Sequence, residues 1–204
     1  MFALVESGSI TSFLKGNRGI KIGDYNYPPA VFTLWSESER NAVGLYTVEI
    51  DETNRKDEYW YTNTNITYAF GSGKVTGSYG TATAKKHADT LYTQADEDNG
   101  LGTKDDVRVE GLKTVLIRTV KEQAEHILNQ TDWYITRKSE KSTAIPSAIT
   151  THRDAVRSKQ AAMETAITNA SNTPALETLY TVVNTADEGD TPVYARPLGV
   201  IPTL

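Results

Sequence analysis

Proton transfer near neutral pH falls most naturally to histidine, and this chain has three: His87, His126 and His152. No two of them stand four residues apart, the spacing that places a metal-binding pair on one helix face. His126 lies beside the apolar stripe of a predicted helix and His152 within the stripe of the next, where packing accounts for both. "QADEDNG" places Asp96, Asp98 and Gly100 like the start of a calcium loop. Counted from Asp96, however, the twelfth position, which such a loop fills with a bidentate glutamate, is Val107. Gly71-Ser72-Gly73-Lys74 is too short for a phosphate-binding loop and is followed by Val75 instead of Ser or Thr. "GSYGTA" lacks the residue order of a nucleophile elbow. With no cysteine, thiol catalysis, thiolate metal sites and disulfides are excluded. No nucleophile, base and cofactor motif occur together. The expectation is a non-enzyme with no catalytic residue, no cofactor, no metal and no obligatory small molecule.

Recognition chemistry has better candidates. "QTDWYITRK", residues 130–138, combines an acid, two large aromatics and two cations. Trp133 and Tyr134 each carry a large apolar body with a polar tip. Arg137 can lie along such rings or, with Lys138, meet the carbonyls at a helix C-terminus. The block reads as the plug of a joint between two helices. Trp133 is expected to be buried there, at a cost of about 3 kcal/mol on truncation to alanine. The second cluster is "VYARPLGVIPTL", an apolar, proline-interrupted segment too rich in large side chains for a solvated tail. The candidate partner-binding residues are therefore Trp133, Tyr134, Arg137, Tyr194, Arg196, Leu198, Ile201 and Leu204. Deleting 193–204 is expected to weaken assembly more than stability.

The elements that carry these residues follow from periodicity. "FALV" and "ITSFL" flank "ESGS", a hairpin signal with Gly8 suited to positive φ. "GIKI" suggests a third strand, broken by "GDYNYPP". Ser36 with Glu39 makes a capping box, and Gly44 ends that short helix before the strand "LYTVEI". Residues 57–84 are rich in Tyr, Trp, Thr, Val and Ile, a β composition with a turn at "GSGK". In "GLKTVLIRTVKEQAEHILNQ", Leu112, Val115, Leu116, Val120, Ile127 and Leu128 share a helix face; Ile149, His152, Val156, Met163 and Ile167 share another. Pro146 opens that second helix, and Thr173 with Pro174 a short third one. The expected fold class is α+β: an antiparallel β domain over 1–83 with one short helix, a linker over 84–106, a helical hairpin plus short third helix over 107–182, and an extended tail over 183–204.

Bulk composition bounds the partners. The 204 residues carry a net charge of -5, a pI near 5.3, 38% hydrophobic residues and a mean hydropathy of -0.45. No basic stripe of the kind phosphate backbones require is present, so nucleic acid is not expected. No run approaches the ~18 apolar residues of a membrane span. "MFALVESGSI" lacks the basic start and apolar stretch of a signal peptide. A modest core in a chain of this length suggests order drawn partly from neighbours.

"LNQTDWYITRKSEKSTAIPSAITTHRDAVRS" resembles the C-terminal helical segment of tailed-bacteriophage proteins of the tail-fibre region, tail-fibre assembly proteins among them. The shared pattern is a helix, an Asp-Trp corner, a spacer, and a second helix bearing an aromatic or His, an Arg and a further Arg four residues on. Here it is Asp132-Trp133, then His152-Arg153 and Arg157, with His152 where the family more often has Tyr. The "FALVE" start and "TLWSESERNAVGLY" are similar to small phage tail proteins. The resemblance implies a structural component of a phage tail, at the baseplate or fibre attachment, made in the host cytoplasm and residing in the virion. Its partners would be other tail proteins and symmetry copies of itself. A tail-fibre assembly chaperone is the alternative. A receptor- or glycan-binding module using Trp60, Tyr59, Tyr61 and Tyr68 is a third, drawn from the aromatic residues themselves.

Overall fold

The computed structural model describes residues 1–204 in full. The chain is a mixed α/β protein dividing into two compact units, Met1–Thr83 and Ala84–Leu204.

The first unit begins with β1 (Phe2–Glu6) and β2 (Ser9–Leu14), joined by the two-residue turn Ser7-Gly8. Both turn residues have positive φ, at 51° and 78°, the geometry whose twist matches that of the flanking strands. β3 (Ile20–Ile22) pairs with β4 (Tyr25–Tyr27), so "GDYNY" turns the chain back into a second strand instead of ending the first. A 3-10 turn over Pro29–Phe32 and α1 (Glu37–Ala42) lead to β5 (Leu45–Asp51). Ser36 and Glu39 form the reciprocal capping box: Glu39 N donates to the Ser36 hydroxyl and Ser36 N to the Glu39 carboxylate. Then come β6 (Tyr61–Thr62), β7 (Thr67–Gly71) and β8 (Lys74–Ser78), with β9 (Thr83–Ala84) at the end of the unit.

The main sheet has the order β2-β1-β5-β8-β7 and is curled, with Phe13 of β2 and Tyr68 of β7 meeting at 4.6 Å between ring centres. β5 and β8 run parallel, Val48 opposite Val75 through Asp51 opposite Ser78. The sheet is therefore mixed, which corrects the antiparallel expectation. Alternation identifies strands, and tight turns fix the sense only of the strands they join; β5 and β8 are linked by a long excursion through β6 and β7. One face buries Ala3, Val5 and Val75 under Ile10, Tyr46, Val48 and Phe70. The other buries Val31, Phe32 and Leu45 under Phe2, Leu14, Tyr27 and Trp35. Gly44 is required by geometry: its φ is +83°, and a Cβ there would stand 2.5 Å from the Val5 carbonyl oxygen.

In the second unit, β10 (Thr90–Leu91) pairs with β11 (Val107–Val109) around α2 (Gln94–Asp98). Four helices follow: α3 (Leu112–Asn129), α4 (Asp132–Lys141), α5 (Ser147–Asn169) and α6 (Thr173–Tyr180). α3 buries Leu116, Val120, Ala124 and Ile127, and α5 buries Ile149, Val156, Met163 and Ile167, each at helical spacing. They run antiparallel. Lys113 at the start of α3 reaches the Thr168 carbonyl at the end of α5, and Arg153 near the start of α5 reaches the Leu128 carbonyl at the end of α3.

Residues 84–106 are not a linker. Helix α3 begins after Gly111, which has no side chain to cap it, and the upstream segment supplies what is missing. The Asp89 carboxylate accepts from Gly111 N at 2.6 Å and from the Thr114 hydroxyl, while the Lys86 and His87 carbonyls accept from Leu112 N and Lys113 N. The Cβ of any other residue at 111 would strike the Ala88 backbone. Asp96 belongs to a capping box with Thr93 and pairs with Arg108 at 3.2 Å. Asn172, not Thr173, caps α6; Thr173 is buried and donates to the Lys85 carbonyl.

The tail is not simply extended. β12 (Val183–Asn184) and β13 (Tyr194–Ala195) form a small hairpin, and the chain then folds back on the helices.

Candidate interaction site

Helix α4 corrects the reading of residues 130–138 as a joint. The apolar stripe of α3 stops at Leu128, and Thr131-Asp132 starts a new helix with an acid in its first turn and Lys138 and Lys141 in its last, an order that suits the helix dipole. Ser142, in the left-handed conformation at φ 54°, ends it. The actual joint, between Asn129 and Asp132, is held by Arg153. Its guanidinium donates to the Leu128 carbonyl at 2.7 Å and the Thr131 hydroxyl at 2.6 Å, and pairs with Asp132 at 2.8 Å. One buried cation thus caps the end of α3 and anchors the start of α4. Asp132 and Arg153 are two residues of the sequence pattern singled out above. Its place on the apolar stripe of α5 marks Arg153 for burial, while its charge marks it for solvent.

None of the ten residues of α4 is buried. Trp133 is 52% exposed, against the expectation of burial, and Ile135 is exposed too. The Trp133 and Tyr134 rings lie 3.8 Å apart, with the Arg137 guanidinium 4.7 Å from the first and 5.2 Å from the second. Arg137 Nε has no hydrogen-bond partner, and ring faces hold this cation where an acid could have done so. At helical spacing Trp133, Tyr134, Arg137, Lys138 and Lys141 fall within about 140° of arc, with Glu140 at the edge. The face is aromatic and basic, and the structure brings together the first three candidate residues in it.

The C-terminal candidates separate. Leu198 and Ile201 are buried against their own chain, which corrects their assignment as partner anchors. Leu198 N donates to the Leu179 carbonyl at 3.0 Å, and Lys159 Nζ donates to the Leu198 carbonyl at 2.7 Å. Gly199, at φ +72°, lets the strap pass the Lys159 side chain. Arg196, Leu198 and Ile201 line a groove of about 590 Å³ with Val120, His126 and Met163. Tyr194 and Leu204 are both 70% exposed. Lys159 was missed in the sequence because its partner lies 39 residues away.

Elsewhere, Trp60 is buried and so is not presented for sugar stacking; Tyr59 is exposed beside it. No group of three or more His, Cys, Asp or Glu side chains is placed to hold a metal ion. No helix is long and apolar enough to cross a membrane. Comparison with family models, curated proteins and solved structures found no match to this chain.

Proposed function

We propose that this chain is a structural component of a bacteriophage tail, at the baseplate or fibre attachment, and that its work is protein–protein contact with no substrate turned over. The observation that carries the reading is α4: a ten-residue helix without one buried residue, bearing a half-exposed tryptophan stacked with Tyr134 and Arg137. Isolated helices of that length are marginal in water, and most helical stability in proteins comes from packing an apolar face. Tryptophan, tyrosine and arginine are also the residues over-represented among those that dominate binding energy. The resemblance of residues 128–158 to tail-fibre-region proteins is what supports siting such a surface in a phage tail. Under this reading the β unit docks on one tail protein, α4 and the C-terminal hairpin hold another or a symmetry copy, and the protein is made in the host cytoplasm and retained in the virion.

Quantitative mass spectrometry of purified particles of the phage that encodes it tests this. A fixed copy number per particle is expected. Absence from infectious particles whose formation needs the gene would replace this reading with that of an assembly chaperone.

A further inference from the structure

Like α4, the C-terminal hairpin buries none of its strand residues. The β12–β13 hairpin has two residues paired on each strand, and two-stranded hairpins are marginally stable alone in water. Its large side chains face solvent: Val182, Val183, Val193 and Tyr194 are all exposed, Tyr194 at 70%. Its loop carries Asp187, Glu188 and Asp190, and Asp190 N donates to the Asp187 carbonyl in the turn. The hairpin is thus an apolar ribbon with an acidic tip. Helix α4 is the complementary surface, with Trp133 and Tyr134 as apolar ground and Arg137, Lys138 and Lys141 as cations.

We propose that the β12–β13 hairpin of one copy docks on the α4 face of a second copy, giving a head-to-tail contact between identical chains. This rests on the reading of the protein as a tail component and names one of its partners. The match in charge and in apolar character sets the orientation: the valine and tyrosine side chains lie against Trp133 and Tyr134, and the acidic loop reaches Lys138 and Lys141. Opposed charges across such a rim fix register and suppress wrong partners. The two patches differ, so the contact is heterologous; it closes into a ring when its rotation divides a full turn and otherwise propagates as a filament. Covering both elements at once also supplies the burial that neither obtains within its own chain.

The test is light scattering with analytical ultracentrifugation on the full chain and three variants. The wild type is expected to self-associate at micromolar concentrations. Lys138→Glu with Lys141→Glu, and separately Asp187→Lys with Asp190→Lys, are each expected to weaken association at least about tenfold, and the chain carrying all four changes to recover most of it. All sites are exposed, so circular dichroism should show each variant folded. A wild type that stays monomeric at high concentration overturns the proposal, as does an oligomer indifferent to both charge reversals, or a four-change chain no better than either pair. Any of those results leaves the tail-component reading standing, since that is decided by copy number in particles.

Discussion

Arg153→Met tests the claim that one buried cation sets the α3–α4 joint. The change removes two short charged hydrogen bonds, to the Leu128 carbonyl and the Thr131 hydroxyl, each worth about 1.5–3 kcal/mol. It also removes the ion pair with Asp132, whose side chain is 52% exposed, so that this pair contributes at most about 1 kcal/mol. Two effects reduce the sum. The Thr131 hydroxyl still donates to the Leu128 carbonyl at 2.9 Å, so neither group is left alone. The Arg153 Nε, buried without a partner, ceases to be a cost. The net loss should be about 2–4 kcal/mol. Asp132→Asn should cost about 0–1 kcal/mol, because its charge remains in water. Urea unfolding followed by the helical circular dichroism signal measures both. An Asp132→Asn loss equal to that of Arg153→Met, or an Arg153→Met loss below about 1 kcal/mol, would refute the assignment of the work to the carbonyl and hydroxyl contacts.

Trp133→Ala should change stability by no more than about 1 kcal/mol, because the ring is half exposed, while weakening association; a melt that falls by several times that would mean the ring is buried after all. Gly44→Ala should cost about 2–4 kcal/mol through left-handed strain and collision with the Val5 carbonyl, whereas Gly8→Ala, with open space around its site, should cost less; equal losses in thermal melts would contradict the role of the collision. Leu198→Ala should cost about 2–5 kcal/mol as a filled core position, and deletion of 193–204 should lower the melting temperature as well as any assembly; a truncated chain as stable as the whole would show that the strap is not held. The Arg118 guanidinium, bonded to both Glu110 carboxylate oxygens, holds the Glu110 pKa below its ordinary 4.5. The folded-state value is the lower one, so this stabilisation is complete above pH 4.5 and is lost as pH falls through the folded value. An NMR titration should find the Glu110 midpoint depressed, and Arg118→Gln should return it toward 4.5; an unmoved midpoint would refute the pairing.

Local chemistry was readable wherever local chemistry decided the outcome. The Ser36–Glu39 capping box, the turns at Gly8 and Gly73, and the stripes of α3 and α5 all follow from spacing alone. What could not be read depended on distant partners. The parallel pairing of β5 with β8 leaves no mark on either strand. Asp89 serves as the cap of α3 from across β10, α2 and β11, which is why 84–106 reads as a linker. Leu198 and Ile201 have the composition of anchors, but whether an anchor finds its own chain or another is settled by packing. At the candidate site, Trp133, Tyr134 and Arg137 were recognisable by type; that they lie on a helix of their own was hidden because the end of the α3 stripe reads as the joint to the next helix.

A cryo-EM map of the assembled particle would bear most directly on the central claim that this chain works by holding neighbours. The account predicts density of another subunit, copy or tail protein, over Trp133, Tyr134 and Arg137 of α4, and over Tyr194 of the C-terminal hairpin. A map in which the chain is present with both surfaces facing open solvent, or from which it is missing, would contradict it.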